Sequence, residues 1–190
     1  WKFIWLRVAG EVGATVCFLS ALANMPLANV TAILQALPLA ITMGAAIFLN
    51  EFVGWRRWLA ISVGFCGVVI IVRPGLDGFS MYSLSALAAV ACVTLRDLAT
   101  RQLSPELPSL LVALITATAI TLLGAIMLPT VTWAAIDNEH LSILTISAIA
   151  IVFGYLFSVM AMRQGETSFI APFRYTAMIW AIMLGILFFN

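Results

Sequence analysis

Leu110-Leu111-Val112-Ala113-Leu114-Ile115-Thr116-Ala117-Thr118-Ala119-Ile120-Thr121-Leu122-Leu123-Gly124-Ala125-Ile126-Met127-Leu128 carries no charged side chain, and its only polar side chains are three threonine hydroxyls. A helix rising about 1.5 Å per residue needs about 20 apolar residues to cross about 30 Å of hydrocarbon. This stretch meets that requirement. On both sides of it the same unit recurs, giving about seven apolar spans of membrane-crossing length. They cover 5–23, 27–49, 57–72, 80–100, 108–128, 142–162 and 168–189, with short polar breaks between them. The expected fold is all-α: a polytopic transmembrane helical bundle.

Composition agrees. Apolar residues make up 64% of the chain and charged residues 9%, against roughly 45–50% and about 25% in a soluble domain. A soluble chain of this length has no interior large enough for so much apolar surface. A net charge of +1 supplies no basic field for nucleic acid. Cys17, Cys66 and Cys92 all fall inside apolar runs. Their odd number and position argue against a disulfide framework or a metal cluster, and they read as small packing residues. The chain opens on Trp1 and stops at Asn190 without a polar tail, so a piece of a longer protein is expected.

Lys and Arg set the orientation. Lys2, Arg56, Arg57, Arg101 and Arg163 fall at breaks on one side, called here the Lys2 side. The far side receives the Asn24 turn, Arg73 and the 129–140 loop, which has Asp137 and Glu139 but neither Lys nor Arg. The positive-inside rule makes the Lys2 side cytoplasmic, with Arg73 dissenting. The 129–140 loop also carries Trp133 and Ile136, with Leu141 next to it. Lying flat in the interface and looping freely in solvent are both open to it.

The second span ends Ala45-Ala46-Ile47-Phe48-Leu49-Asn50 and the seventh ends Gly185-Ile186-Leu187-Phe188-Phe189-Asn190. The two spans run in opposite directions, which is the relation an inverted-topology repeat creates.

A more specific pattern follows the second span. Leu49-Asn50-Glu51-Phe52-Val53-Gly54-Trp55-Arg56-Arg57-Trp58 leads to a Gly-containing helix that closes on Arg73-Pro74-Gly75. This resembles the end of the first repeat in the EamA family of the drug/metabolite transporter superfamily. Gly165-Glu166-Thr167-Ser168-Phe169-Ile170-Ala171-Pro172-Phe173-Arg174-Tyr175 is similar to the start of that family's ninth helix. The resemblance implies ten helices in two inverted repeats of five. Residues 1–75 would then be the later part of the first repeat, and 76–190 most of the second, lacking its last helix. It also implies secondary transport of small metabolites such as amino acids, usually outward, across the bacterial inner membrane.

Charges within spans are costly unless paired or hydrated, so each is a candidate site residue. These are Glu11, Arg96, Asp97 and Arg174, all in the half of the bilayer nearer the Lys2 side, two acids against two bases. A wet cavity lined by the first, fourth and seventh spans accounts for them. The alternative is that Arg96 and Arg174 snorkel to the interface and Asp97 caps a helix end. Gln35, Tyr155 and Tyr175 can orient a polar solute or join helices. By repeat position Tyr175 corresponds to Gln35. Asn29 and Thr31, with Phe173 and Trp180 as an aromatic wall, are further candidates. Pro38 and Pro172 break backbone bonding within spans and permit kinks. Gly10, Gly13, Gly64, Gly67 and Gly154 read as close-approach points.

Enzyme readings find little support. Gly64-Phe65-Cys66-Gly67 has the look of a nucleophile turn, but the one histidine, His140, falls in a loop. No phosphate loop or metal-ligand spacing occurs, and no cofactor is expected. Expected partners are a small-molecule substrate, the bilayer and a coupling proton carried by Glu11 or Asp97. Nothing in the sequence sets an oligomeric state. The rival from another class is a non-transporting membrane scaffold or assembly subunit.

Overall fold

The computed structural model describes residues 1–72, 80–130, 137–176, 179, 180 and 183. Everything regular among them is helical. The helices are α1 (Lys2–Asn24), α2 (Leu27–Leu34), α3 (Leu37–Phe48), α4 (Trp55–Val72), α5 (Met81–Arg101), α6 (Ser109–Met127), α7 (Asn138–Gln164) and α8 (Thr167–Ile170). Tight 3-10 turns cover Leu128–Thr130 and Ala171–Tyr175. Five stretches among the described residues are long and apolar enough to cross a membrane: Lys2–Asn24, Asn29–Phe48, Met81–Arg101, Ser109–Met127 and His140–Gln164. The third expected span is the 18-residue α4. The seventh is described only at its start. Arg73-Pro74-Gly75, Trp133, Ile136 and the Gly185–Asn190 echo lie outside the described residues.

Two spans are broken, and proline explains both. The second divides into α2 and α3 around Gln35 and Ala36. Pro38 has no N–H to give the Leu34 carbonyl, and its ring crowds that same carbonyl. The seventh span passes from α8 into a 3-10 turn with Pro172 as its second residue. The sixth span begins earlier than its hydropathy suggests. The Asp137 carboxylate accepts the His140 N–H at 2.9 Å and caps α7 there, so Leu141 lies exposed within the helix rather than in a loop.

The tightest packing lies between α1 and α5. A Cβ on Gly10 would stand 2.9 Å from the Cys92 carbonyl oxygen and 3.0 Å from the Arg96 nitrogen. Only glycine allows two backbones this near. Gly13 and Gly64 also sit against neighbours. Gly67 and Gly154 do not: a Cβ there would meet nothing within 4 Å among the described residues, which corrects the expectation for those two.

The breaks gather at two ends. At one end Ile4, Leu103 and Val159 share an apolar cluster, and Arg163 donates to Ser109 Oγ at 2.8 Å and to the Ser104 carbonyl at 2.9 Å. At the other, Met25 beyond α1 meets Ser83 at the start of α5. The loops rich in Lys and Arg therefore lie together at the Lys2 end.

Candidate functional site

Close approach at Gly10 places the next residue, Glu11, against α5. There the Arg96 guanidinium holds two carboxylates at once: Nη1 lies 3.0 Å from Glu11 Oε2 and Nε lies 2.8 Å from Asp97 Oδ1. The second Asp97 oxygen takes Arg174 Nη2 at 2.5 Å, carried in by the 3-10 turn after α8. Asp97 is 2% exposed and is held by two guanidinium groups. Arg96 and Glu11 are mostly covered, whereas 26% of the Arg174 side chain is open. The four candidates thus meet in one cluster contributed by the first, fourth and seventh spans. Snorkelling does not describe Arg96, whose head turns inward to Glu11, and Asp97 caps no helix end.

The expectation of two charges against two is corrected by Arg7. This side chain is 2% exposed and lies one helical turn from Glu11 on α1. Its Nη2 donates to Tyr155 Oη at 2.7 Å, its Nε to Thr116 Oγ1 at 3.3 Å, and its Nη1 to Thr100 Oγ1. Thr100 and Thr116 give their own protons to the carbonyls of Arg96 and Val112, one turn back on their helices. Each therefore presents a lone pair to Arg7. The Arg7 guanidinium also lies 5.5 Å from the Tyr155 ring centre. Tyr155 passes its O–H on to Glu11 Oε2 at 3.3 Å. The result is a continuous chain: Arg7, Tyr155, Glu11, Arg96, Asp97, Arg174. It holds three guanidinium groups and two carboxylates, and it ties α1 to α5, α7 and the seventh span.

The signal for Arg7 was present in the sequence. An arginine four residues before Glu11 shares its helix face, and both lie inside the first span. Thr100 and Thr116 carry no such mark, because a threonine in an apolar helix usually spends its hydroxyl on its own backbone.

The cluster reaches two clefts. One, of about 390 Å³, is lined by Thr31, Leu34, Gln35, Leu37, Pro38 and Arg174, and lies where the second span breaks. The other, of about 440 Å³, runs between α6 and α7 and has Glu11, Thr116 and Tyr155 at its polar end. Tyr175 donates its O–H to the Gln35 carbonyl at 3.2 Å, so the two residues paired by repeat position touch. Asn29 is exposed near the start of α2, away from these contacts. Phe173 packs on Phe169, with ring centres 5.5 Å apart. Both rings and Trp180 are well exposed, as side chains facing lipid would be.

A second joint closes the Lys2 end. Asn50 adopts a left-handed φ of 53°, which asparagine tolerates, and the chain folds back so that the Glu51 N–H reaches the Ala45 carbonyl at 3.2 Å. The Glu51 carboxylate then accepts the Thr167 and Ser168 N–H groups at 2.8 Å each. Arg57 adds a bond to Ser168 Oγ at 3.3 Å. Partial burial alone would raise the Glu51 carboxyl. The Ser168 and Thr167 donors outweigh it and hold the carboxyl below its ordinary value. Sequence reading took Glu51 only as part of a motif.

Residues 1–73 match the EamA-like transporter family. The chain is 31% identical over its whole length to a riboflavin transporter of Vibrio cholerae, of which it covers 64%. It is 26% identical to a pseudopaline exporter of Pseudomonas aeruginosa, over 97% of the chain and 66% of that protein. It is 23% identical to an S-adenosylmethionine uptake transporter of Rickettsia prowazekii, over 87% of the chain and 56% of that protein. The chain thus spans less than two thirds of each of these relatives. No solved structure matches it. The chain is a multi-pass membrane protein, and its similarity to the EamA-like transporter family lies in residues 1–73.

Proposed function

We propose that this helical bundle belongs to an EamA-type secondary transporter for small metabolites, working by alternating access. The observation that carries this reading is the buried chain from Arg7 to Arg174, ending in a cleft at a broken span. A scaffold gains nothing from three arginines in its interior, since each is expensive to desolvate. A transporter needs a polar site inside apolar walls, beside helices whose backbone is already interrupted. In this reading residues 1–75 and 76–190 belong to two inverted repeats that rock about the cluster. Arg174 takes a solute carboxylate in a two-pronged contact, while Gln35 and Tyr175 orient the solute. Glu11 or Asp97 carries a coupling proton. Amino acids and similar metabolites are the proposed solutes, moved outward across a bacterial inner membrane, with the Lys2 side cytoplasmic.

The relatives favour a transporter in general and differ in cargo and direction. Two are named for riboflavin and pseudopaline, the latter as an exporter, and a third for S-adenosylmethionine uptake.

The test uses the full-length protein in proteoliposomes, with uptake of labelled metabolites and folded yield measured together. Arg174→Lys is expected to fold and to lose about tenfold or more in uptake, because a lysine cannot offer the planar fork. Arg174→Ala is expected to abolish uptake. If Arg174 is only a counter-ion for Asp97, Arg174→Ala would misfold, and adding Asp97→Asn would restore both yield and uptake. Normal uptake by Arg174→Ala would remove Arg174 from the site.

A further inference from the structure

The buried cluster does not balance its own charge. Arg96 is shared by Glu11 and Asp97, and Arg174 is bound to Asp97. Both carboxylates are therefore engaged, and among the described residues the third guanidinium, Arg7, bonds to the neutral oxygens of Tyr155, Thr100 and Thr116. Tyr155 does not supply the missing negative charge. Its O–H is the donor to Glu11, so the phenol keeps its proton. Arginine does not give up its proton in proteins. The remaining charged residues of the chain, Lys2, Glu51, Arg56, Arg57, Arg73, Asp77, Arg101, Glu106, Asp137, Glu139, Arg163 and Glu166, all fall at span ends or in the breaks between spans. The sequence from Tyr175 to Asn190 contains no charged residue at all. Among the described residues, with Glu11 and Asp97 both ionised, the cluster thus holds an excess of one positive charge, set in low-dielectric surroundings where such a charge acts strongly and at a distance.

We propose that this excess, supplied by Arg7, makes the site select solutes of net charge −1 over zwitterions and cations of the same skeleton. The proposal rests on the transport reading above and adds a substrate class to it. A monoanion whose carboxylate enters the cleft beside Arg174 brings the cluster and its guest to neutrality. A zwitterion carries its own ammonium inside and leaves the excess in place. A cation adds to it. Arg7 acts through the field and touches no solute, so it is a specificity-determining residue distinct from Arg174. The cleft walls contributed by Leu34, Leu37 and Pro38 accommodate the apolar remainder of such a solute.

The experiment measures binding to the purified full-length protein. The probes are the N-acetylated, free and methyl-esterified forms of leucine, phenylalanine and glutamine, with net charges of −1, 0 and +1. On at least one skeleton the N-acetyl form is expected to bind about tenfold or more tighter than the free amino acid, and the ester weakest of all. Arg7→Gln should shrink the N-acetyl preference below about threefold, whereas Arg7→Lys, which keeps the charge but not the fork, should retain most of it. The proposal is overturned if the wild type binds N-acetyl and free forms within threefold of one another, or if folded Arg7→Gln keeps the full preference. Should Arg7→Gln fail to fold, the wild-type ratio and Arg7→Lys still decide. Binding without regard to charge would contradict this inference alone. Absence of binding by every probe would contradict the transport reading and this inference with it.

Discussion

Helices α5 and α7 are both long and apolar enough to cross a membrane, and each has an arginine in its last turn close to the Lys2 end. Their surroundings are opposite. α5 buries Ser83, Ala86, Ala89, Val90 and the run from Asp97 to Thr100. α7 leaves Ile143, Ile146, Ile149, Ile151, Val152 and Phe153 exposed and buries Val159 and Met162 near its end. Inside a membrane, lipid tails are as apolar as leucine, so hydrophobicity does not choose which helices pack. Small residues that admit a near backbone, and polar bonds, do. α5 offers Ala86, Ala88, Ala89, Ala91, Cys92 and Ala99, and α1 answers with Gly10 and Gly13. α7 offers large side chains, and its ties to the rest are Tyr155 in the charged cluster and, near the Lys2 end, Val159 and Arg163. The cluster is therefore anchored on the α1–α5 seam and reaches α7 through Tyr155 and the turn after α8 through Arg174.

The largest effect expected on this contrast comes from Asp97→Asn. It removes the shared partner of Arg96 and Arg174 in the seam, and breaking a buried pair of this kind costs roughly 3–5 kcal/mol. Thermal unfolding in detergent should record a large loss; a shift near zero would mean the cluster is hydrated and cheap. Next is Gly10→Ala, which puts a methyl 2.9 Å from a carbonyl oxygen and should cost about 1–3 kcal/mol. Gly154→Ala on α7 meets nothing within 4 Å and should be neutral or gain up to about 1 kcal/mol from helix propensity. Equal effects at the two glycines would erase the distinction between seam and flank.

A smaller effect is expected at the Lys2 end. Glu51→Gln should loosen the joint to Thr167 and Ser168 by about 1 kcal/mol, below the usual value for bonds to a charged group because Glu51 is partly in water. The carboxyl is held below its ordinary value of 4.5. Its contribution is therefore fully present above that value and is lost as pH falls through the lower, folded one. Hydrogen-exchange protection of the Thr167 and Ser168 amides, relative to the intrinsic rate at each pH, should fall below about pH 4.5 in the wild type, and Glu51→Gln should give low protection at every pH. Equal protection in both at every pH would show that the Glu51 carboxylate does not hold the end closed.

Much of this was legible in the sequence, and the reasons are physical. Span length and charge placement follow from the bilayer itself, so the helices and the common end of the basic loops could be read directly. Pro38 and Pro172 marked both breaks because a missing N–H acts locally. Glu11, Arg96, Asp97 and Arg174 stood out because charge within a span is rare. What escaped was pairing. The sequence could not say that Arg96 turns to Glu11, that Gly154 faces open space, or that Glu51 reaches across to Thr167. Those depend on which helices touch. Arg7 was missed for a different reason. It stands near enough to the start of the first span to pass for an interfacial residue, and its spacing of four from Glu11 gains its meaning only with the burial that makes it the third cation of the cluster.

The decisive measurement is the reactivity of a single cysteine at position 35, in the cleft between the broken second span and Arg174. Gln35→Cys would be placed in the full-length protein with Cys17, Cys66 and Cys92 replaced by alanine, and treated with a membrane-impermeant maleimide from each side separately. The transport account predicts labelling from both sides, slowed at least severalfold from one side when a transported solute is present. Labelling from neither side, or from one side only and unchanged by solute, would contradict it and leave the cluster as a structural joint in a static bundle.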